Sequence, residues 1–512
     1  MAHEKTFVIV GGGSSGWMTA AFLTSVFENT PHKFVLVESS EVPSIGVGEA
    51  TVHSIRGFLA ACKIEEGRFL LESAGTFKHG ILFKDWNQVP EGATIGNQFF
   101  HSFEQYPQIA PEHMASHWIN ATLGGKNTER YDRWSGVQSI LAAGGKCPKT
   151  WQDTAYQAPV PYSYHLDANK FAHFLKEVAT ARGVQHHVKH ILDIKQDDRG
   201  NITSLVLEGG ESIDGDFFFD CTGFASVLSR KLGATFKDMR YLLSCDRAVT
   251  IRVPFADENH APRPYTTATA RDIGWTFEID LQARQGIGLV YSSDHAGAEE
   301  AERAIRRDFP QIPDDAELNH LRMQVGRLDR AWNKNCLALG LAAGFIEPLE
   351  STGLYMVETA LRLFVDYLDL EVRETALSNR FNDIFNDLFD EAADFVFLHY
   401  YLSNRQDTPF WQDDRYNKQC PEQLRALLDL WEHKIPTDTD PTNQHLIFQS
   451  PSYAAILYGM GHLPKHVPQS VAHIPPEKSM EHLAQLQRIQ KAAITSSPIH
   501  EEFLQKYTAT FR

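Results

Sequence analysis

Thr6–Val10 is a β-branched, apolar run that stops at three glycines. After Gly11-Gly12-Gly13-Ser14-Ser15-Gly16, apolar positions at Trp17, Ala20, Ala21, Leu23 and Phe27 continue as a helix. Phe34–Val37 then form a second strand that ends on Glu38. Strand, glycine loop, helix, strand and acid, in that order, predict a dinucleotide-binding unit. Gly11 allows the tight turn, Gly13 lets a pyrophosphate approach the backbone, and Gly16 lets helix and strand pack closely. The helix N-terminus faces the phosphates, and Glu38 accepts from a ribose. Further on, Asp216–Asp220 reads as a strand, 370–402 as a long aromatic-rich helix and 421–433 as another helix. Residues 485–512 read as an exposed helical tail. Leu354, Val357, Leu361 and Phe364 form a helical stripe whose cap is Ser351 or Thr352.

Composition narrows the class. The chain has 512 residues, enough for two or three lobes, and 43% of them are hydrophobic. No uninterrupted apolar run reaches the roughly 18 residues of a membrane span. A net charge of −17 argues against a nucleic-acid surface, so any anion site must be locally positive. Six scattered cysteines form no C-x-x-C pair. With an opening that shows no secretory pattern, they predict a cytoplasmic setting. The histidine-rich run 185–190 reads as a strand with no carboxylate or cysteine partner, so no metal site is expected.

Three segments carry the candidate chemistry. In GFIEPLESTGL, Gly344–Leu354, Glu350 precedes Ser-Thr-Gly at a helix start. An acid there handles a proton, and the free backbone N–H groups hold a small anion, with Thr352 and Gly353 as the candidates. Glu347 competes for the acid's role. Lys78 stands alone in GTFKHGILF; a partly buried lysine there would have a tunable pKa. Ser44–Thr51 is a small-residue loop, with Gly48 and Ala50, that suits the face of an isoalloxazine.

These pieces resemble the flavin-dependent tryptophan halogenase family. The matching segments are GGGSSGWMTA at Gly11, IGVGEATV at Ile45, FKHGILFKDW at Phe77, FFHSFEQ at Phe99, FDCTGF at Phe219 and GLAAGFIEPLESTGL at Gly340. They occur in the family's order from residue 5 to beyond 360. The resemblance implies an α/β, FAD-binding Rossmann-like fold of the aromatic-hydroxylase kind. An antiparallel-sheet substrate lobe is inserted in it and a C-terminal helical region covers the substrate pocket. Residues 1–365 would form the FAD module with its interleaved sheet, and residues 366–512 the cover. FAD, as FADH2, would lie against Gly11, Gly13, Ser14, Ser15, Gly16, Glu38, Gly48, Ala50, Val188, Leu341 and Leu354. Chloride or bromide would sit at Thr352 and Gly353, and hypohalous acid made there would be delivered by Lys78. Glu350 would serve catalysis and, with His101, Phe103 and Tyr453, line the aromatic substrate.

The segment Trp275-Thr276-Phe277-Glu278-Ile279-Asp280 departs from the family's W-x-W-x-I-P, which leaves oxygen insertion slightly more open. The expected activity is halogenation of an electron-rich indole or tryptophan-like arene. The alternatives are an aromatic monooxygenase and a non-catalytic flavin-binding redox protein. Only one glycine fingerprint is visible, so reduced flavin should come from a separate NAD(P)H-dependent reductase. Neither nucleic acid nor membrane is an expected partner, and a homodimer is compatible with the sequence.

Overall fold

The computed structural model describes residues 4–40, 46, 48–88, 97–107, 109–255, 260–369, 375–413, 417–443 and 445–511. Ser44, Ile45 and Val47 of the second small-residue loop lie outside them.

The apolar run Thr6–Val10 is the centre of a six-stranded sheet. In spatial order the strands are Trp332–Asn333, Cys336–Ala338, Phe217–Asp220, Thr6–Val10, Lys33–Glu38 and Gln185–Val188. All neighbours are parallel except the edge pair Trp332–Asn333 and Cys336–Ala338. The 217–220 strand does return from far along the chain, pairing Phe7 with Phe217 and Val10 with Asp220. Burial on both faces explains why the central strands at 7–10, 34–37 and 217–219 read as continuous apolar runs rather than alternating ones.

The inserted lobe is a seven-stranded sheet. Its order is Asn319–Arg322, Arg247–Pro254, Arg284–Tyr291, Gly274–Asp280, Thr266–Arg271, Gly80–Lys84 and Gln98–Ser102. It is antiparallel apart from one parallel pair, Thr266–Arg271 with Gly80–Lys84. A separate three-stranded sheet joins Glu49–Ala50, Ser163–Leu166 and Thr76–Lys78. The chain passes between the two sheets at His79, whose N–H donates to Pro264 O at 2.8 Å. Lys78 is therefore the last residue of an edge strand, paired with Ser163 on strand Ser163–Leu166.

Helices Gly353–Tyr367 and Thr375–Leu402 pack on each other and on the nucleotide sheet through Phe217, Trp332, Phe364 and Phe381. One contiguous apolar core spans both sheets and these helices. The expected exposed tail needs correction. Pro476–Ser496 is a helix packed on Met114–Leu123, and His500–Ala509 is a second one that buries His500, Phe503 and Leu504. Phe503 stands 5.8 Å from the Phe77 ring, edge on. The polar periodicity of 485–512 reflects an amphipathic helix whose apolar stripe is covered, not a free segment.

Candidate functional site

The glycine loop leaves room where a phosphate would come close. Gly11 has φ +114°, and a Cβ there would stand 2.2 Å from Cys221 O, so only glycine fits. At Gly13, by contrast, a Cβ would meet nothing within 4 Å. The turn is thus closed against the protein and open toward a ligand, at the start of helix Ser14–Val26. Glu38 leaves the neighbouring strand with its Oε1 2.6 Å from His186 Nε2, which donates to it. Val188 pairs with Glu38 across the sheet edge and is 52% exposed. Leu341 lies in the Gly340–Ala342 turn and Leu354 in the first turn of the 353–367 helix. Gly340 stands against Ser15, which brings that turn onto the glycine loop. Gly48 and Ala50 lead directly to Thr51, whose carbonyl faces Lys78. This set fits a flavin dinucleotide.

Lys78 is 0% exposed. Its Nζ donates to Thr51 O at 3.0 Å and to Ser351 Oγ at 2.9 Å, and lies 5.4 Å from the centre of the Phe103 ring. Burial lowers the lysine from the ordinary amine range to about 7, with the Glu350 charge pulling the other way.

Glu350 closes the short turn Pro348–Glu350 and is 2% exposed. Its two oxygens lie 3.1 and 2.9 Å from His101 Nδ1. On its other side His399 Nε2 lies 2.9 Å from Oε1. Burial alone would raise this carboxyl, but the two histidines outweigh it and bring the group down to about 2. Glu347, the competing acid, points elsewhere: it accepts from Trp275 Nε1 at 3.1 Å and from the Tyr400 hydroxyl.

Ser351 is left-handed, at φ 61°. That reversal lets the 348–350 turn end and helix Gly353–Tyr367 begin within three residues. Thr352 is the N-cap, its side chain makes no capping bond, and a Cβ at Gly353 would meet nothing within 4 Å. An open, uncapped helix start beside a buried ammonium is where a small anion is stabilised.

The aromatic candidates are placed unequally. His101 and Phe103 stand at Glu350 and Lys78 respectively. Tyr453 sits one ring further out: its hydroxyl donates to Glu391 Oε1 at 2.9 Å, and its ring meets Phe395 edge on at 5.0 Å. Phe395 is in turn 5.8 Å from the His101 ring. Sequence reasoning missed His399, Ser351 as the acceptor for Lys78, and the Trp275–Glu347–Tyr400 group. The one available signal for His399 is its place one turn after Phe395 on an aromatic helix face.

A dinucleotide sheet joined to a dry site that holds an amine and a carboxylate suits a flavin-dependent oxidoreductase. The tryptophan halogenase family profile matches residues 6–476. The tryptophan 6-halogenase SttH of Streptomyces toxytricini is 34% identical over 476 residues, 89% of each chain. The tryptophan 6-halogenase ThaL of Streptomyces albogriseolus is 33% identical over 493 residues, 92% of each. Among solved structures, Tar14, a tryptophan C-6 flavin-dependent halogenase (chlorinase) from taromycin biosynthesis, superposes with a TM-score of 0.91. It shares 32% identity, with 99% of this chain and 100% of that one covered. The chain belongs to the tryptophan halogenase family and is a flavin-dependent halogenating enzyme. Among the described residues no helix is long and apolar enough to cross a membrane.

Proposed function

We propose that this enzyme uses reduced FAD, dioxygen and chloride or bromide to halogenate an electron-rich indole or tryptophan-like arene. The observation that carries the reading is the fully buried Lys78 amine, held between Thr51 O and Ser351 Oγ. Bound reduced flavin with dioxygen supplies an electrophilic oxygen, which a halide takes up as hypohalous acid. The chain's own residues do the rest. The uncapped N–H groups at Thr352 and Gly353 hold the halide. Two acceptors occupy two N–H bonds of the Lys78 ammonium, so the third is free to hydrogen-bond hypohalous acid and raise its electrophilicity. His101 and Phe103 offer flat faces to the arene. As the ring's electron pair takes the halogen, the oxygen–halogen bond breaks and the oxygen leaves as water with a proton from Lys78; Glu350 stabilises the cationic ring so formed. It then takes the ring proton as the C–H electron pair returns to the ring.

Residues 1–365 serve flavin and halide in this reading. Residues 366–512 cover the substrate, as His399 against Glu350 and Phe395 against His101 support. A separate NAD(P)H-dependent reductase supplies FADH2. A cytoplasmic setting agrees with the six free, buried cysteines, and the enzyme works as a monomer or a homodimer. The test is mass spectrometry of indole, tryptophan and phenol incubated with enzyme, flavin reductase, NADH, FAD and either halide. Halide-dependent halogenated product is expected; oxygenated product without halide would mean a monooxygenase.

A further inference from the structure

The carboxylate of Glu350 has a second histidine neighbour, on helix Thr375–Leu402. His399 is completely buried in helix Thr375–Leu402, its ring set between Phe83 at 4.9 Å, Phe395 at 5.4 Å and Trp86 at 5.9 Å. Its Nδ1 is 2.9 Å from Phe395 O. A carbonyl only accepts, so Nδ1 carries a proton. Its Nε2 is 2.9 Å from Glu350 Oε1. In a neutral ring protonated at Nδ1, Nε2 presents a lone pair, and a lone pair against a carboxylate oxygen at that distance is repulsive. Nε2 makes no aligned hydrogen bond to that oxygen, so the contact becomes attractive through charge, when the ring carries a second proton.

His101 does not solve the problem, because its Nδ1 serves the carboxylate from the other side and its proton is already used there. The remaining charged and titratable groups around the pair are few. Lys78 faces Glu350 electrostatically from strand Thr76–Lys78. Glu347, on the same turn as Glu350, is turned away to Trp275 and Tyr400. Phe83, Trp86 and Phe395 bring no charge.

We infer that His399 is a positioning residue that stands against Glu350 as an imidazolium–carboxylate ion pair. It keeps the carboxylate ionised in a dry site and aimed at the ring carbon that loses its proton. With His399 gone, burial acts on Glu350 with only His101 to oppose it, and the carboxylate protonates at a higher pH. This inference rests on the assignment of Glu350 as the ring-proton acceptor.

The test uses the full-length enzyme with reductase, NADH, FAD and bromide on an indole that the wild type brominates. His399→Phe keeps the ring volume and removes both nitrogens; His399→Gln keeps a donor. The expected result for His399→Phe is a fall in kcat of roughly 100-fold with KM little changed. Its acid limb of product formation should move up by at least about one pH unit. His399→Gln, which keeps a donor but loses the charge, should move the acid limb in the same direction by less. Halide-dependent oxidation of reduced flavin should be unchanged in both. A His399→Phe enzyme with the wild-type acid limb would overturn the inference, whatever its rate. Should the variants not fold, proton NMR of the wild type decides. A downfield imidazole N–H resonance that disappears on Glu350→Gln but remains on His101→Phe supports the pair, and no such resonance overturns it. A wild type that brominates nothing would instead sink the functional reading itself, which separates the two failures.

Discussion

Ser351 Oγ accepts from Lys78 Nζ at 2.9 Å, and Ser351 is itself held at φ 61°. The residue that reverses the chain between turn and helix is also the one that anchors the amine. A non-glycine residue in this conformation costs about 1 kcal/mol or more, so the two roles can be separated. Ser351→Gly relieves the backbone and removes the hydroxyl; Ser351→Ala keeps the strain and also removes it. Both should lower product formation about tenfold or more, since an N–H of a buried amine loses its acceptor. Only the glycine variant should match the wild type in thermal melting. Steady-state halogenation together with a melt checks this, and full activity in Ser351→Gly would show that the hydroxyl is dispensable.

The pH dependence of halogenation reports on Lys78. Burial sets the amine near 7, so it is charged below and neutral above that value. If the ammonium is the form that donates to hypohalous acid, product formation falls as pH rises through about 7 to 8. A rate that climbs over that range would point to the neutral amine forming a haloamine. Pre-steady-state halogenation with pre-reduced flavin, measured across pH, removes the reductase from the comparison.

His500 ties the C-terminal helix to the catalytic strand. Its Nε2 accepts from Phe77 N at 3.1 Å, one residue before Lys78, while its Nδ1–H donates to Pro262 O at 2.9 Å. Burial lowers this histidine to about 4. Its folded pKa is below the unfolded value near 6.5, so the folded state binds fewer protons between the two. Its stabilisation is therefore full above about 6.5 and is lost as pH falls toward 4. His500→Phe should cost about 1–3 kcal/mol at neutral pH by leaving the Phe77 amide without a partner. The melting-temperature gap to the wild type should narrow between about pH 7 and pH 4. A gap that stays constant would show that the ring only fills space.

Glu391 works in the opposite sense. Burial raises it to about 8, against the hydrogen bonds from Tyr453 and the 447–448 backbone. Here the folded state holds a proton that the unfolded chain has released, so this group's contribution declines as pH rises from about 4.5 to 8. Glu391→Gln should be less stable than the wild type near pH 5 and should close that gap near pH 8. Thermal melts at the two pH values decide it.

The parts of this molecule that are legible in its sequence are those where local chemistry is decisive. The turn at Gly11, the strands 6–10, 33–38 and 217–220 and the helix from Gly353 follow from apolar runs and glycines whose positions leave few alternatives. Lys78 and Glu350 were readable through the family's motifs, but their isolation in the chain says nothing of Thr51 O or Ser351 Oγ, which reach Lys78 from 27 and 273 residues away. His399 was invisible because a buried histidine on an aromatic helix face looks like core until a carboxylate arrives from another element. The tail was misread for a related reason. Its covered stripe is narrow, and the surface that covers it comes from helix Glu66–Glu72 and the strand carrying Phe77.

The central claim is that a buried amine, apart from the flavin, delivers the oxidised halogen to the arene. The most direct test is Lys78→Ala under single-turnover conditions with pre-reduced FAD, bromide and an indole, reading flavin oxidation optically and product by mass spectrometry. The expected result is flavin oxidation at close to the wild-type rate with no brominated indole. Brominated product from Lys78→Ala at a rate near that of the wild type would contradict it.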